Sequence, residues 1–296
     1  MRNSLYQSCH LCARECGVNR YEKNGYCNVK AEMYIARAAL HFWEEPPISG
    51  ENGSGTIFFS GCSLSCEFCQ NREISRGRTG KAISAERLAQ IMTELQAKGA
   101  HNINLVTPTH YIPSIAEAIV IARSNGLSIP IVYNTGSYDT VDSLKKLDGL
   151  VDIYLPDLKY YSSKTAMFSK APNYPEVARA AISEMYRQVG VAEFDNAGIM
   201  KRGIIVRILL LPGRVADAKL SLKYLVETYG DDIYISLMNQ YTPMDGMQSP
   251  LNRTVTREEY RDLLLYAEKL GLKNGFTQEF GTAKESFIPP FDESGL

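Results

Sequence analysis

No cysteine occurs beyond residue 69 in this chain of 296 residues, although seven lie within the first 69. A disulfide framework spreads its cysteines over the domain it staples. The distribution therefore excludes a secreted disulfide scaffold and points to metal chemistry near the start of the chain. Basic excess is also missing. Lys and Arg number 32 against 33 Asp and Glu, a net charge of −1, which argues against a general nucleic-acid binder and leaves room only for a local basic patch. No run of 18 apolar residues occurs, and the opening Met1-Arg-Asn-Ser-Leu5 has no apolar signal region. No membrane span or leader is expected, and the chain reads as cytoplasmic. Internal repeats and low-complexity tracts are absent as well. With 45% apolar residues, the chain can bury one large core and carry a small appended module.

The densest chemistry lies in Cys62-x3-Cys66-x2-Cys69, just after the β-rich run Thr56-Ile-Phe-Phe-Ser60. Three thiolates so close together can hold three irons of a [4Fe-4S] cube and leave the fourth iron open. An open iron can take a substrate or cofactor, which a four-cysteine electron carrier does not offer. A zinc knuckle or three buried thiols are the plain alternatives. Structural zinc, however, usually takes four ligands, and catalytic zinc seldom takes three cysteines.

From Thr56 onward strands and helices alternate. Apolar β-rich runs fall at 56–60, 102–107, 129–134, 151–155, 204–211 and 233–237, and helical patterns at 85–98, 113–124, 140–147, 175–189, 216–228 and 257–270. Leu88, Ile91 or Met92, and Leu95 share one face of the first helix. Thr256 with Glu259 makes a capping box for the last, which Gly271 ends. Six such units imply parallel strands with right-handed crossovers. A doubly wound sheet fits the alternation equally well. The cysteine loop directly after the first strand favours a partial (β/α)6 TIM-like barrel, whose chemistry sits on the loops that follow strands. The expected organisation is a cysteine-rich metal module and lead-in at 1–50, the barrel at 51–280 and a tail at 281–296.

The loops after the strands carry Tyr133-Asn-Thr-Gly136, Asp157-Leu-Lys159, Arg207 with Leu211-Pro-Gly213, and Asn239-Gln-Tyr241. Together with Gly53–Cys62 and Cys69-Gln-Asn71, they resemble the radical S-adenosylmethionine superfamily. The resemblance is to its pyruvate formate-lyase activating enzyme branch, in particular to relatives with an N-terminal four-cysteine module, and it covers about residues 1–270. It implies that Cys62, Cys66 and Cys69 carry the cluster and that S-adenosylmethionine occupies the open iron. One electron then cleaves the cofactor to a 5′-deoxyadenosyl radical. It further implies that Lys159 meets the cofactor carboxylate and that Arg207 faces the carboxylate or ribose. Phe68 would pack near the adenine, with Asn71 and Tyr241 also at the cofactor. Asp157, Thr135, Asn134 and the Leu155 carbonyl would surround a monovalent cation, oxygen ligands of a kind that suits a hard ion. The chain has Asn134 where the branch has aspartate, and Tyr241 where it has histidine. Its second strand ends in Thr107-Pro-Thr109-His110 rather than a Gly-Gly-Glu run. Thr107 and Thr109 are assigned to the cofactor's amino group, because hydroxyls can accept the same hydrogen bonds.

Bland readings stand beside these. Lys159 and Asp157 could form a surface pair, Arg207 a structural ion pair, and Phe68 a core contact. His110 either caps the following helix or touches substrate, and His101 starts a strand. Cys9, Cys12, Cys16 and Cys27 lie within 19 residues and can close a second metal site, zinc or iron–sulfur, with iron–sulfur favoured because the neighbouring cluster already requires iron loading. The acidic pair Glu44-Glu45 either positions substrate or belongs to a solvated linker. The segments 41–50 and 281–296, the latter with Phe287, Pro289, Pro290 and Phe291, are the expected flaps over the barrel mouth.

The function so implied is an enzyme that abstracts hydrogen from the glycine of a glycyl radical enzyme or from another polypeptide. It would draw electrons from a reductant such as flavodoxin or ferredoxin. Radical modification of a small metabolite, peptide or RNA is the alternative among enzymes. A non-catalytic iron–sulfur electron-transfer protein is the alternative from another class.

Overall fold

The computed structural model describes residues 3–76, 79–279 and 289–296. Ten strands make up its sheet: β1 Met33–His41, β2 Ser54–Phe59, β3 Lys81–Ile83, β4 Ile103–Val106, β5 Ile131–Thr135, β6 Ile153–Pro156, β7 Glu193–Phe194, β8 Met200–Leu209, β9 Tyr234–Met238 and β10 Gly275–Thr277. Their order is β10-β9-β8-β6-β5-β4-β2-β1-β3, with β7 beside β8. From β2 to β10 along that path all pairings are parallel. This is the expected α/β partial barrel, left open between β3 and β10. No helix among the described residues is long and apolar enough to cross a membrane.

The helices form where the pattern predicts. Helix Ala85–Ala97 starts at Ser84, whose hydroxyl accepts from the Arg87 N–H, and buries Leu88, Ile91, Met92 and Leu95. Burial of each such side chain contributes about 1.5–3 kcal/mol. Helix Ile112–Ser124 has a proline in its first turn and buries Ile112, Ile115, Ala118 and Ala122. Helix Arg257–Leu270 carries both bonds of the Thr256–Glu259 capping box and ends at Gly271 in the left-handed region. Because the parallel strands are covered by these helices, their residues on both faces are buried.

Two features depart from expectation. Residues 1–50, expected as a cysteine module and lead-in, also supply a strand of the sheet, because β1 runs antiparallel to β2 and β3. The segment 41–50 is not a flap over the mouth. It is the β1–β2 connection, and it tucks into the opposite end of the barrel, where Ile48 packs with Val132, Ile153, Leu155 and Ile205. Asn102 Nδ2 donates to the Ile48 carbonyl at 2.7 Å and holds it there.

Of the expected tail, Phe287 lies outside the described residues. The end of the chain lies along β1: Glu293 N–H donates to the Ala36 carbonyl at 3.0 Å, and Ala38 N–H to that of Ser294 at 2.9 Å. Phe291 meets Phe58 edge to face at 5.5 Å.

Candidate functional site

The turn that follows β2 is built to project the three cysteines. Gly61 has φ +91°, and a Cβ there would sit 2.8 Å from the Cys27 carbonyl oxygen, so a side chain would be strained and blocked. The Ser60 carbonyl just before it accepts from His110 Nε2 at 2.8 Å. Burial lowers the His110 pKa to about 3, with Arg20 adding to the effect. The ring is therefore neutral, with its proton on Nε2. His110 thus neither caps a helix nor faces the cavity; it anchors the strand end.

Each thiol then meets a potential donor. Cys62 Sγ accepts from Leu64 N–H at 3.4 Å, Cys66 Sγ lies 2.8 Å from Ser169 Oγ, and Cys69 Sγ lies 3.4 Å from Ser75 Oγ. Burial raises the Cys62 and Cys66 thiol pKa values, and the nearby thiols raise them further, while Lys159 opposes the shift at Cys66. Three sulfurs that repel one another as anions and are ringed by donors suit a cationic iron–sulfur core, which would stabilise all three thiolates. Among the described residues no group of three His, Cys, Asp or Glu side chains is gathered to hold a single metal ion. A cube, unlike one zinc, spreads its cysteines over separate irons.

Cys9, Cys12, Cys16 and Cys27 act on one another electrostatically, but they too are not gathered to hold a single metal ion, so here as well a cluster fits better than one zinc. Burial pushes the Cys12 thiol up to about 12, with Cys27, Cys9 and Cys16 adding to the shift. Their loop packs straight onto the first cysteine loop, a placement that spacing did not reveal. Cys62 N–H donates to the Cys27 carbonyl at 3.3 Å. Arg14 reaches the carbonyls of Ser63 at 2.9 Å and Lys170 at 2.6 Å. The fully buried Arg20 donates to the carbonyls of His110 and Lys30.

At the ends of the parallel strands the charged residues form an alternating line. Lys159 Nζ lies 2.5 Å from Asp157, Asp157 lies 2.9 Å from Arg207 Nε, and Arg207 lies 3.5 Å from Glu44. Arg207 also donates to Asn134 Oδ1 at 2.6 Å. Burial pushes the Asp157 carboxyl up, but Arg207 and Lys159 overcome that and leave it below its ordinary value. Lys159 and Asp157 are 17% and 20% exposed, so a surface pair does not describe them. Arg207 does form the ion pair that its bland reading proposed.

Glu44 and Glu45, read as linker acids or substrate contacts, reach into the barrel from its base. Burial raises both carboxyls, and Arg207 opposes the shift. Asp139 went unnoticed in the sequence. It is buried and accepts from Tyr133 Oη at 2.8 Å and Thr135 Oγ1 at 2.7 Å. Its only local signal was a carboxylate four residues past a strand-end threonine. Thr135 Oγ1 also accepts from Ser137 N–H at 3.1 Å and lies 3.4 Å from Thr109 Oγ1. Of the expected cation ligands, Asp157, Thr135 and Asn134 are thus already engaged by protein donors. Thr107 has φ +60°, costly for a β-branched residue at about 1–3 kcal/mol, and such strain clusters at functional sites.

The expected cluster and cofactor positions meet in one cavity of 460 Å³, a size suited to a small cofactor. Cys62, Cys66 and Cys69 line it, as do Phe68, Asn71, Thr107, Thr109, Asn134, Thr135, Asp157, Lys159, Arg207 and Tyr241. Phe68 and Tyr241 face each other with ring centroids 5.9 Å apart, and Tyr241 Oη donates to the Leu251 carbonyl at 2.6 Å. Glu44, Glu45 and Pro289 complete the wall.

Comparison with known proteins agrees with this geometry. The family described as the Radical SAM superfamily matches residues 56–217. The uncharacterized protein MJ0674 of Methanocaldococcus jannaschii is 29% identical over 281 residues, covering 91% of this chain and 77% of that protein. Among solved structures, Streptococcus suis SuiB bound to precursor peptide SuiA superposes with a TM-score of 0.51 at 13% identity, over 75% of this chain and 47% of SuiB. Native anSMEcpe with bound AdoMet gives 0.51 at 12% identity, over 74% of this chain and 61% of that protein. The chain thus spans about half to three-fifths of those two solved proteins, and at such identity the likeness is one of fold.

Proposed function

Because the chain belongs to the radical SAM superfamily, whose members use a [4Fe-4S] cluster, S-adenosylmethionine and an external reductant, we propose that Cys62, Cys66 and Cys69 hold the cluster and that the cavity they line binds the cofactor. The observation that carries this reading is the convergence of all the expected cluster and cofactor residues on a single cavity at the strand ends. When bound, cluster and cofactor together supply a 5′-deoxyadenosyl radical for hydrogen abstraction. The chain's own residues orient the cofactor and exclude water. Lys159 meets the cofactor carboxylate, Thr107 and Thr109 lie at its amino group, and Phe68 and Tyr241 flank its adenine, with Asn71 beside them. Arg207 supplies the positive charge that a monovalent cation gives in the activating-enzyme branch. Its guanidinium already engages Asp157 and Asn134. Cys9, Cys12, Cys16 and Cys27 share a second metal, iron–sulfur or zinc. The division into a cysteine module at 1–50, a barrel at 51–280 and a tail at 281–296 is retained as a functional one, with β1 stitching the first to the second.

The substrate we propose is a polypeptide, as in the activating-enzyme branch that the Asp157-Leu-Lys159 and Pro212-Gly213 motifs resemble. A peptide bound to a protein of the same fold supports this. The test is anaerobic reconstitution, reduction with dithionite and assay of 5′-deoxyadenosine. Wild-type protein should release it, and the Cys62/Cys66/Cys69→Ala triple variant should not. Undiminished cleavage by the triple variant would refute the reading.

A further inference from the structure

The line of charges that begins at the cysteines does not end neutral. Cys66 neighbours Lys159, Lys159 pairs with Asp157, and Asp157 pairs with Arg207. Arg207 then faces two carboxylates, Glu44 and Glu45. Among the described residues, the Lys, Arg, Asp and Glu side chains lining the cavity are three acids (Glu44, Glu45, Asp157) and two cations (Lys159, Arg207). Glu44 is the better satisfied of the terminal pair. It accepts from Asn104 Nδ2 at 3.1 Å, Asn134 Nδ2 at 3.3 Å and Arg207 at 3.5 Å. Glu45 is not. It is 8% exposed and lines the cavity, yet its Oε2 has no hydrogen-bond partner among the described residues.

A buried carboxylate oxygen on the cavity wall without a donor, beside a second carboxylate, describes a place for a ligand that brings both a donor and positive charge. The backbone keeps Glu45 there. Its carbonyl accepts from Ile48 at 2.8 Å and Ser49 at 3.1 Å, which fixes the main chain from which the side chain enters the cavity. The cofactor's own groups are assigned to the cysteine end. The groups that act most on Glu45 are Arg207, Glu44 and Ser236.

We propose that Glu45, supported by Glu44, forms a substrate subsite at the base of the cavity that takes a protonated amine or guanidinium. This rests on the assignment of the cavity above and extends it to the chemistry of the substrate. The cationic group, seated at the base, would hold the neighbouring carbon chain toward the cysteine end, where hydrogen would be abstracted. Such a cation can come from a free small amine or from a lysyl or arginyl side chain of a polypeptide.

The test is calorimetric, on the reconstituted wild-type protein without oxygen and with saturating S-adenosylmethionine. The probes are n-hexylamine against n-hexanol, and a terminally blocked Gly-Gly-Lys-Gly-Gly peptide against its Nε-acetylated form. Each charged probe should bind at least tenfold tighter than its neutral counterpart, and Glu45→Gln should remove about ten- to hundredfold of that affinity. Glu45→Asp, which keeps the charge but withdraws it by one methylene, should fall between. Hexylamine binding as well as the peptide supports a small amine; a clear preference for the peptide supports a polypeptide. Equal binding of charged and neutral probes by the wild type would overturn the subsite, and this comparison needs no variant to fold. So would unchanged affinity in Glu45→Gln, or displacement of hexylamine by S-adenosylmethionine. Cofactor binding is titrated separately on the wild type, so a failure of the cavity assignment is distinguishable from a failure of the subsite.

Discussion

Arg207 is the hub on which the cavity's electrostatics depend, and replacing it with methionine tests that arrangement. Its guanidinium meets Asp157 at 2.9 Å, Asn134 Oδ1 at 2.6 Å and Glu44 at 3.5 Å, with Glu45 also in its field. At an effective dielectric of 20, one unit pair about 4 Å apart attracts by about 4 kcal/mol. Desolvation of the guanidinium offsets part of that. Its removal nonetheless leaves carboxylates buried and under-compensated, a change that typically costs about 3–5 kcal/mol. Lys159 still pairs with Asp157 in the variant, so the uncompensated charge sits mainly on Glu44 and Glu45.

The pH dependence follows from direction alone. Both carboxyls are already raised above their ordinary value, burial being the first cause and Arg207 the opposing one. Without Arg207 they rise further. A carboxyl whose folded pKa exceeds its unfolded value, about 4.3 for Glu, is penalised at pH above the folded pKa. The penalty shrinks as pH falls through that value and is gone below the unfolded one. Arg207→Met should therefore lose about 3–5 kcal/mol near pH 8. It should recover up to about 1.4 kcal/mol per pH unit for each carboxyl that takes up its proton in the folded state. Urea unfolding followed by circular dichroism, at about pH 8 and about pH 5.5, measures both. A loss under about 1 kcal/mol near pH 8, or one that is the same at both pH values, would refute the reasoning.

The remaining predictions concern the metal and cofactor sites. Lys159→Ala should weaken S-adenosylmethionine binding by about 1.5–3 kcal/mol, the worth of a charge-assisted hydrogen bond; an unchanged dissociation constant in cluster-loaded protein would move the lysine's role elsewhere. Gly61→Ala places a Cβ against the Cys27 carbonyl at φ +91°. It should cost about 1–3 kcal/mol and reduce iron incorporation at both cysteine groups, read by thermal melting and iron analysis. In the Cys62/Cys66/Cys69→Ala background, metal analysis should find about four irons or one zinc per chain, held by Cys9, Cys12, Cys16 and Cys27. Neither metal in anaerobically purified protein would refute the second site.

What could be read directly was whatever depends on neighbours along the chain. The Cys62-x3-Cys66-x2-Cys69 spacing, the capping box at Thr256 and the one-sided face of helix 85–97 are local patterns, and the cap and the helix form as read. Parallel strands buried on both faces appear as plain apolar runs, so β2, β4, β5, β6, β8 and β9 were visible. Strand β1 was not. Its Ala-rich run Met33-Tyr-Ile-Ala-Arg-Ala-Ala-Leu-His41 carries no alternation, and it is extended because β2 and β3 supply its hydrogen bonds. The three residues of β10 are too few to show a period.

Site residues divide along the same line. The motifs at 157–159 and 207 suggested chemistry, but nothing in the chain around them says that Lys159, Asp157, Arg207 and Glu44 form one line of contacts. Glu44 and Glu45 read as linker acids because local composition cannot show that the β1–β2 connection turns back into the barrel. The sequence by itself determined the chemistry available, through residue types at short spacings, and the fold class, through hydrophobic periodicity. Only the tertiary structure decided which charges meet, which are buried and which carboxyl is left without a partner. Those outcomes depend on contacts between residues as far apart as Asp157 and Arg207, 50 positions, and Glu44 and Arg207, 163 positions, which the curving of the sheet alone sets.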